Sequence, residues 1–229
     1  FKKDILDKKL FNKVQQFYKK NEHKAQIEIV KDFIHKKEND EPASTLVELD
    51  ANLKKEIHLH LKPILEQWSK TKLEPTFVYG IRVYGKDAVL KEHRDREKTH
   101  IVSAIINVNQ NVDVDWPLVI EDHYYRKHEI VLSPGEIIIY EGAKLQHGRP
   151  QPLQGEEYAN IDDDVTSDGQ SCTGSFPIEK DWFGKDAIRG LYRKSKTITD
   201  THYNNDEELR LDKSLQYSTN LRSTWPWLK

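Results

Sequence analysis

Between residues 76 and 161 the chain alternates apolar and polar side chains in short runs broken by turn residues, a pattern that few folds accommodate. Phe77-Val78-Tyr79-Gly80-Ile81-Arg82-Val83-Tyr84 is rich in β-branched and aromatic residues and predicts a strand, with Gly85-Lys86-Asp87 as the following turn. Ile101-Val102-Ser103-Ala104-Ile105-Ile106-Asn107-Val108 is a nearly continuous apolar run and predicts a strand buried on both faces. Further short strands are expected over 116–120, 129–132, 137–140, 144–149 and 157–161, with a polar turn over 122–127. Ser133-Pro134-Gly135-Glu136 is a strong turn signal. Strands of this length, with turns at roughly 8–12-residue intervals, indicate a double-sheet β-sandwich or jelly roll.

Helices are expected to flank this core. Ile5, Leu6, Leu10, Val14, Phe17 and Tyr18 recur at helical spacing over residues 4–20, and Ala25, Ile29, Val30, Phe33 and Ile34 suggest a second helix over 25–37. A polar linker ends at Pro42, and residues 44–48 can form a short strand. Asp50 is a plausible N-cap for a helix with Leu53, Ile57, Leu61, Ile64, Leu65 and Trp68 on one face. Pro63 is expected to kink or split that helix near Leu61. His58 and His60 diverge on a helix and fit packing better than metal binding.

Asp162-Asp163-Asp164 opens a Gly/Ser-rich stretch that reads as loop. Beyond it, Trp182, Phe183, Ile188 and Leu191 suggest a weak helix, and Thr224-Trp225-Pro226-Trp227-Leu228 suggests an aromatic tail docking on the fold. The chain therefore divides into an N-terminal helical extension (1–42), a mainly β core (43–161) and a polar C-terminal extension (162–229) packing on that core.

Charged residues make up 32% and apolar residues 36% of the 229 positions, as expected of a soluble domain with one modest core. The net charge of −2 offers no general attraction to nucleic acid or anionic membranes. No run is long and apolar enough for a transmembrane helix, and Phe1-Lys2-Lys3-Asp4 does not resemble a signal peptide. The absence of methionine suggests a trimmed chain. Cys172 is the sole cysteine, which excludes an internal disulfide or thiolate cluster and fits a reducing, cytoplasmic setting.

The residues with the clearest chemistry lie between Tyr79 and Pro150. His93 and Asp95 would share one side of an extended segment, and His147 can approach from a neighbouring strand. Two histidines and one carboxylate, with open positions on the metal, form the ligand set of non-haem Fe(II) oxygenases.

The ordered set Tyr84-Gly85, His93-x-Asp95, Ser133-Pro134-Gly135-Glu136 and His147 resembles the 2-oxoglutarate- and Fe(II)-dependent dioxygenases, specifically their prolyl 4-hydroxylase-like branch. Trp116-Pro117-Leu118, Tyr140-Glu141 and His147-Gly148-Arg149-Pro150 extend the resemblance, which covers residues 45–161. It implies a double-stranded β-helix with iron on His93, Asp95 and His147. It also implies 2-oxoglutarate and O2 as cosubstrates, ascorbate as an auxiliary reductant, and C–H hydroxylation coupled to release of succinate and CO2. Tyr84 and Asn107 match family positions that hydrogen-bond the cosubstrate. The family supplies Lys or Arg nine or ten residues after the distal histidine, but Glu156 and Glu157 stand there. A buried carboxylate needs a cation, so Arg149 is the first replacement and Arg82 the second. Relatives continue the last strand with apolar residues, whereas here Asp162-Asp163-Asp164 intervenes, so either the strand is truncated after Ile161 or some residues are not represented in this sequence.

The leading expectation is hydroxylation of a peptide or protein side chain, proline first. The same chemistry on a small metabolite and a cupin-like metal binder are alternatives. Cupins usually place His-x-His where this chain has His93-Arg94-Asp95. A demethylase of alkylated nucleic acid is disfavoured by the charge and the lack of a basic aromatic stripe. Substrate specificity is expected from loops 86–92, 109–116 and 122–128.

Overall fold

The structure is a computed structural model that describes residues 1–30, 33–36, 42–95 and 100–167. Two antiparallel sheets face each other. The larger contains β1 (Lys2–Ile5), β10 (Glu136–Tyr140), β7 (Val102–Val112), β12 (Gly155–Ser167), β5 (Leu73–Gly85), β4 (Ser44–Val47) and β2 (Gln26–Glu28), in that spatial order. The smaller runs β3 (Ile34–Lys36), β6 (Ala88–His93), β11 (His147–Arg149), β8 (Leu118–Glu121) and β9 (Lys127–Ile130). This mainly antiparallel double-sheet arrangement, with helices on one side, is a jelly roll of the double-stranded β-helix type.

Strand alternation sorts the core into two layers. Val102, Ala104, Ile106 and Val108 of β7, with Ile137 and Ile139 of β10, pack against helices α1 (Lys8–Asn21) and α2 (Ala51–Ser69). Ile105 and Ile138 point the other way and meet Leu118 and Ile120 between the sheets. Beside them, Tyr84, Trp116, Leu153 and Tyr158 form a second, aromatic cluster. The expected burial of β7 on both faces is thus observed.

The helices begin where their caps dictate. The Asp7 side chain accepts from the Lys9 and Leu10 amides, so α1 starts after it, and the preceding residues join the sheet as β1. Asp50 caps α2 through the Leu53 amide at 2.9 Å. Contrary to the expected break, α2 runs unbroken through Pro63. An interior proline costs about 3 kcal/mol, whereas Leu53, Ile57, Leu61 and Leu65, all buried against the sheet, contribute about 1.5–3 kcal/mol each. Packing outweighs the proline.

Four other segments differ from expectation. The described residues of the 25–37 span are not helical: a short 3-10 turn (Glu22–Lys24) leads to β2, and β3 follows from Ile34. Their apolar residues are divided between exposed Ile27 and Ile29 and buried Ile34, a division made by two different sheets. The expected loop 86–92 is largely β6, paired with β3 and β11, and the expected loop 109–116 begins inside β7. The final strand does not stop at Ile161 but continues to Ser167 between β5 and β7, so an expected domain boundary at 161 falls inside β12. Its acidic residues are accommodated individually, Asp162 by Arg82, Asp163 by His58 and Asp164 by His100.

No helix among the described residues is long and apolar enough to cross a membrane. Cys172, the expected helix near 182–193, the aromatic tail and most of the 36–42 linker lie outside the described residues.

Candidate metal centre

His93 ends β6 and His147 begins β11, and the two are register partners across the antiparallel pair. Their ring centroids lie 4.6 Å apart. Asp95 is the second residue after β6, and its amide donates to the Gly142 carbonyl at 3.0 Å, fixing the chain as it leaves the strand. Its two carboxylate oxygens approach His93 Nε2 at 3.5 Å and His147 Nε2 at 3.4 Å. One ligand atom from each residue falls within 4.8 Å of the others.

Each histidine is oriented by its own backbone. His93 Nδ1 lies 2.7 Å from the Lys91 carbonyl, and His147 Nδ1 lies 2.9 Å from the Leu145 carbonyl. A carbonyl can only accept, so both Nδ1 atoms carry a proton, and both Nε2 atoms face Asp95. Burial pushes His147 down to about 4, against the pull of Asp95, which keeps the ring neutral and able to ligate. Burial alone would raise Asp95, but His147 and His93 beside it hold its carboxyl below the usual carboxylate range. Two imidazole nitrogens and a carboxylate fit a divalent transition metal, and Fe(II) among them. Gly142 completes the cradle, because a Cβ there would collide with Asp95 Oδ2 and Ser103 Oγ.

The triad lines a cavity of about 580 Å³, within the usual range for small-molecule sites. Arg149 and Tyr84 also line it. Arg149 is 2% exposed, and its guanidinium is stacked over Trp116 (4.7 Å) and Tyr158 (4.3 Å). Its Nη1 donates to the Trp116 carbonyl, while Nη2 has no acceptor. Among the described residues no carboxylate pairs with it. Burial pushes the Tyr84 hydroxyl up to about 12, against the opposing effects of Arg82 and Arg149, so it remains a neutral donor.

The other expected cosubstrate residues have different surroundings. Arg82 lines the cavity but is engaged by Glu28 through two 2.7 Å bonds and by Asp162 at 3.1 Å. Asn107 is not on the cavity wall; its Nδ2 has three acceptors within reach, Gln110 Oε1, the Leu132 carbonyl and the Tyr158 hydroxyl, which tie β7 to the turn before β10. Glu157 faces α1, where it accepts from Tyr18 at 3.0 Å, and Glu156 is exposed, so neither opposes an anion in the cavity. His58 lies on the opposite side of β12, bound to Asp163 at 3.2 Å.

Sequence reasoning missed the far wall of the cavity, formed by Tyr79, His100, Asn160, Asp162 and Asp164. The signal was the two-residue period of 160, 162 and 164, which continues the strand pattern through residues that composition marks as loop.

No protein-family model matches the sequence, and no curated protein matches it. The fold does have relatives among solved structures. A prolyl 4-hydroxylase from Pseudomonas putida superposes with a TM-score of 0.54 at 11% identity, over 73% of this chain and 92% of that one. HygX from Streptomyces hygroscopicus, solved with nickel, 2-oxoglutarate and hygromycin B, gives 0.53 at 10% identity, over 73% and 82%. The collagen prolyl hydroxylase of Paramecium bursaria Chlorella virus-1, in complex with 2-oxoglutarate, gives 0.51 at 10% identity, over 73% and 96%. The fold is therefore the double-stranded β-helix found in 2-oxoglutarate/Fe(II) oxygenases, prolyl hydroxylases among them.

Proposed function

We propose that the protein is a 2-oxoglutarate- and Fe(II)-dependent oxygenase that hydroxylates a C–H bond, with a peptidyl side chain such as proline as the first substrate suggested by resemblance. The observation that carries this reading is the pairing, in one cavity, of a His-Asp-His triad with a buried guanidinium that has an unused donor.

His93, Asp95 and His147 would hold Fe(II), leaving positions open for the cosubstrate and O2. With these bound, the centre supplies a balanced oxidation in which R–H, O2 and 2-oxoglutarate become R–OH, succinate and CO2. Arg149 binds the cosubstrate's distal carboxylate through the unused Nη2, because a forked guanidinium in a dry site matches a carboxylate well. Tyr84 donates to the same end from its neutral hydroxyl. Ile105, Leu118 and Phe33 line the space with apolar surface that limits water near the metal. The sole Cys172 fits a reducing, cytoplasmic setting for Fe(II).

The same chemistry on a small metabolite is the second reading, favoured by a cavity of a size that can enclose one.

The test is succinate formation from 2-oxoglutarate with Fe(II), O2 and ascorbate. Wild type should produce it and His93→Ala should not. Absence of succinate, with no thermal shift from 2-oxoglutarate or N-oxalylglycine, overturns the proposal.

A further inference from the structure

Asp162-Asp163-Asp164 is the segment in which this chain departs from the pattern it otherwise resembles. Asp162 and Asp164 line the cavity, whereas Asp163 points to α2 and meets His58. Tyr158, which stacks on Arg149, marks the other end of the same strand face. At about 3.3 Å per residue, Asp162 and Asp164 lie roughly 13–20 Å further along β12.

The charge on that wall is incompletely balanced among the described residues. Glu28 takes two bonds from Arg82, and Asp162 takes the third, so one guanidinium serves two carboxylates. Asp164 meets His100 at 3.1 Å. Burial pushes Asp162 up to about 6, despite Arg82, and raises Asp164 as well, despite His100. Tyr79 adds an aromatic ring, and Phe77 and Ile29, 49% and 68% exposed, form an apolar rim. Independently, the unused Nη2 of buried Arg149 marks this cavity as built for ligands.

We infer that Asp162 and Asp164 select a substrate with an aliphatic stem and a terminal cationic nitrogen, such as a lysyl or arginyl side chain or a free alkylamine. The stem passes the Ile29–Phe77 rim, and the cation settles against the two carboxylates; the Tyr79 ring beside them already carries the Arg82 guanidinium, 5.6 Å from its centroid. This inference rests on the oxygenase reading for the substrate's position beside the metal, and it replaces proline with a cationic side chain as the first to test.

The experiment uses the full chain with Fe(II) and 2-oxoglutarate, oxygen excluded for binding and admitted for turnover. Acetylated tripeptide amides with central lysine, arginine, norleucine or proline are compared with pentylamine by calorimetry and by stimulated succinate release. A cationic probe should bind about tenfold more tightly than the norleucine peptide, as a charge-assisted contact implies. That preference should disappear in Asp164→Asn and in Asp162→Asn, whose side chain is 20% exposed and tolerates the change more readily. A response from peptides alone or from pentylamine alone identifies the source of the cation, and either supports the inference. Equal binding of the norleucine or proline peptide, or a preference that survives both substitutions, overturns it. Loss of the oxygenase reading is a separate result: it shows as no 2-oxoglutarate binding and no succinate, while calorimetry still reports whether the cavity prefers a cation.

Discussion

His93 and His147 face each other across β6 and β11 as direct register partners, with both Nε2 atoms turned toward Asp95. The geometry of this candidate triad is therefore set by one antiparallel pair and one backbone bond, from the Asp95 amide to Gly142. Residues that touch neither the metal nor the substrate can be tested through this arrangement.

Gly142→Ala should lower metal affinity about 10–100-fold, the effect typical of groups that orient a ligand. The added methyl group would displace Asp95 Oδ2 or Ser103 Oγ. Titration with Co(II) as a spectroscopic substitute, alongside thermal unfolding, separates lost ligation from lost folding. Unchanged affinity would show that Asp95 does not ligate.

Arg149→Ala should weaken 2-oxoglutarate binding by at least about thirtyfold, since an unpaired buried charge costs about 2 kcal/mol or more. Arg149→Lys should recover only part of this, because lysine keeps the charge and loses the fork. Calorimetric titration with N-oxalylglycine measures both. An Arg82 variant that weakened binding more than Arg149→Ala would reassign the site, against the full engagement of Arg82 by Glu28 and Asp162.

The buried pair of His58 and Asp163 ties α2 to β12. Replacing His58 with leucine leaves a fully buried carboxylate without a partner and should cost about 3–5 kcal/mol in urea unfolding. His58→Leu/Asp163→Val should recover most of that loss. Equal stability of the single and double variants would contradict this role for the pair.

Acid should destabilise the fold through Glu141 and His123, which are 2.8 Å apart. Burial would raise Glu141, but Lys144 and His123 hold it at about 2, below its ordinary 4.5. Burial lowers His123 from 6.5, outweighing Glu141. In both cases the unfolded state takes up the proton first, so stability falls as pH drops. The His123 contribution begins to be lost below 6.5. The Glu141 contribution, present above 4.5, is lost as pH falls from there toward about 2. Urea midpoints of wild type and Glu141→Gln measured from pH 7 to 3 should converge below 4.5. The comparison isolates Glu141 from Asp162, whose raised value acts in the opposite sense.

The grouping of His93, Asp95 and His147 was legible because these residues carry their chemistry in type and spacing, and the structure brings them together. The long strands were legible because an apolar period survives in them, and α2 because Asp50 announces its start. The three-residue strands β2 and β3 are too short to show a period, and their apolar spacing imitates a helix. The extension of β12 was hidden because each aspartate finds its partner on a distant element, His58 from α2, Arg82 from β5 and His100 from just before β7. Pairing across the fold leaves no local mark in sequence. Asn107 had the residue type of a cosubstrate ligand, but the acceptors around its Nδ2 lie inside the sheet framework.

Anaerobic titration with Fe(II), followed by 2-oxoglutarate, tests the central claim most directly. Wild type should bind one Fe(II) per chain and develop a visible charge-transfer band when 2-oxoglutarate chelates it, and His147→Ala should show neither. A wild-type chain that binds no Fe(II), or binds it with no change on adding 2-oxoglutarate, would contradict the account.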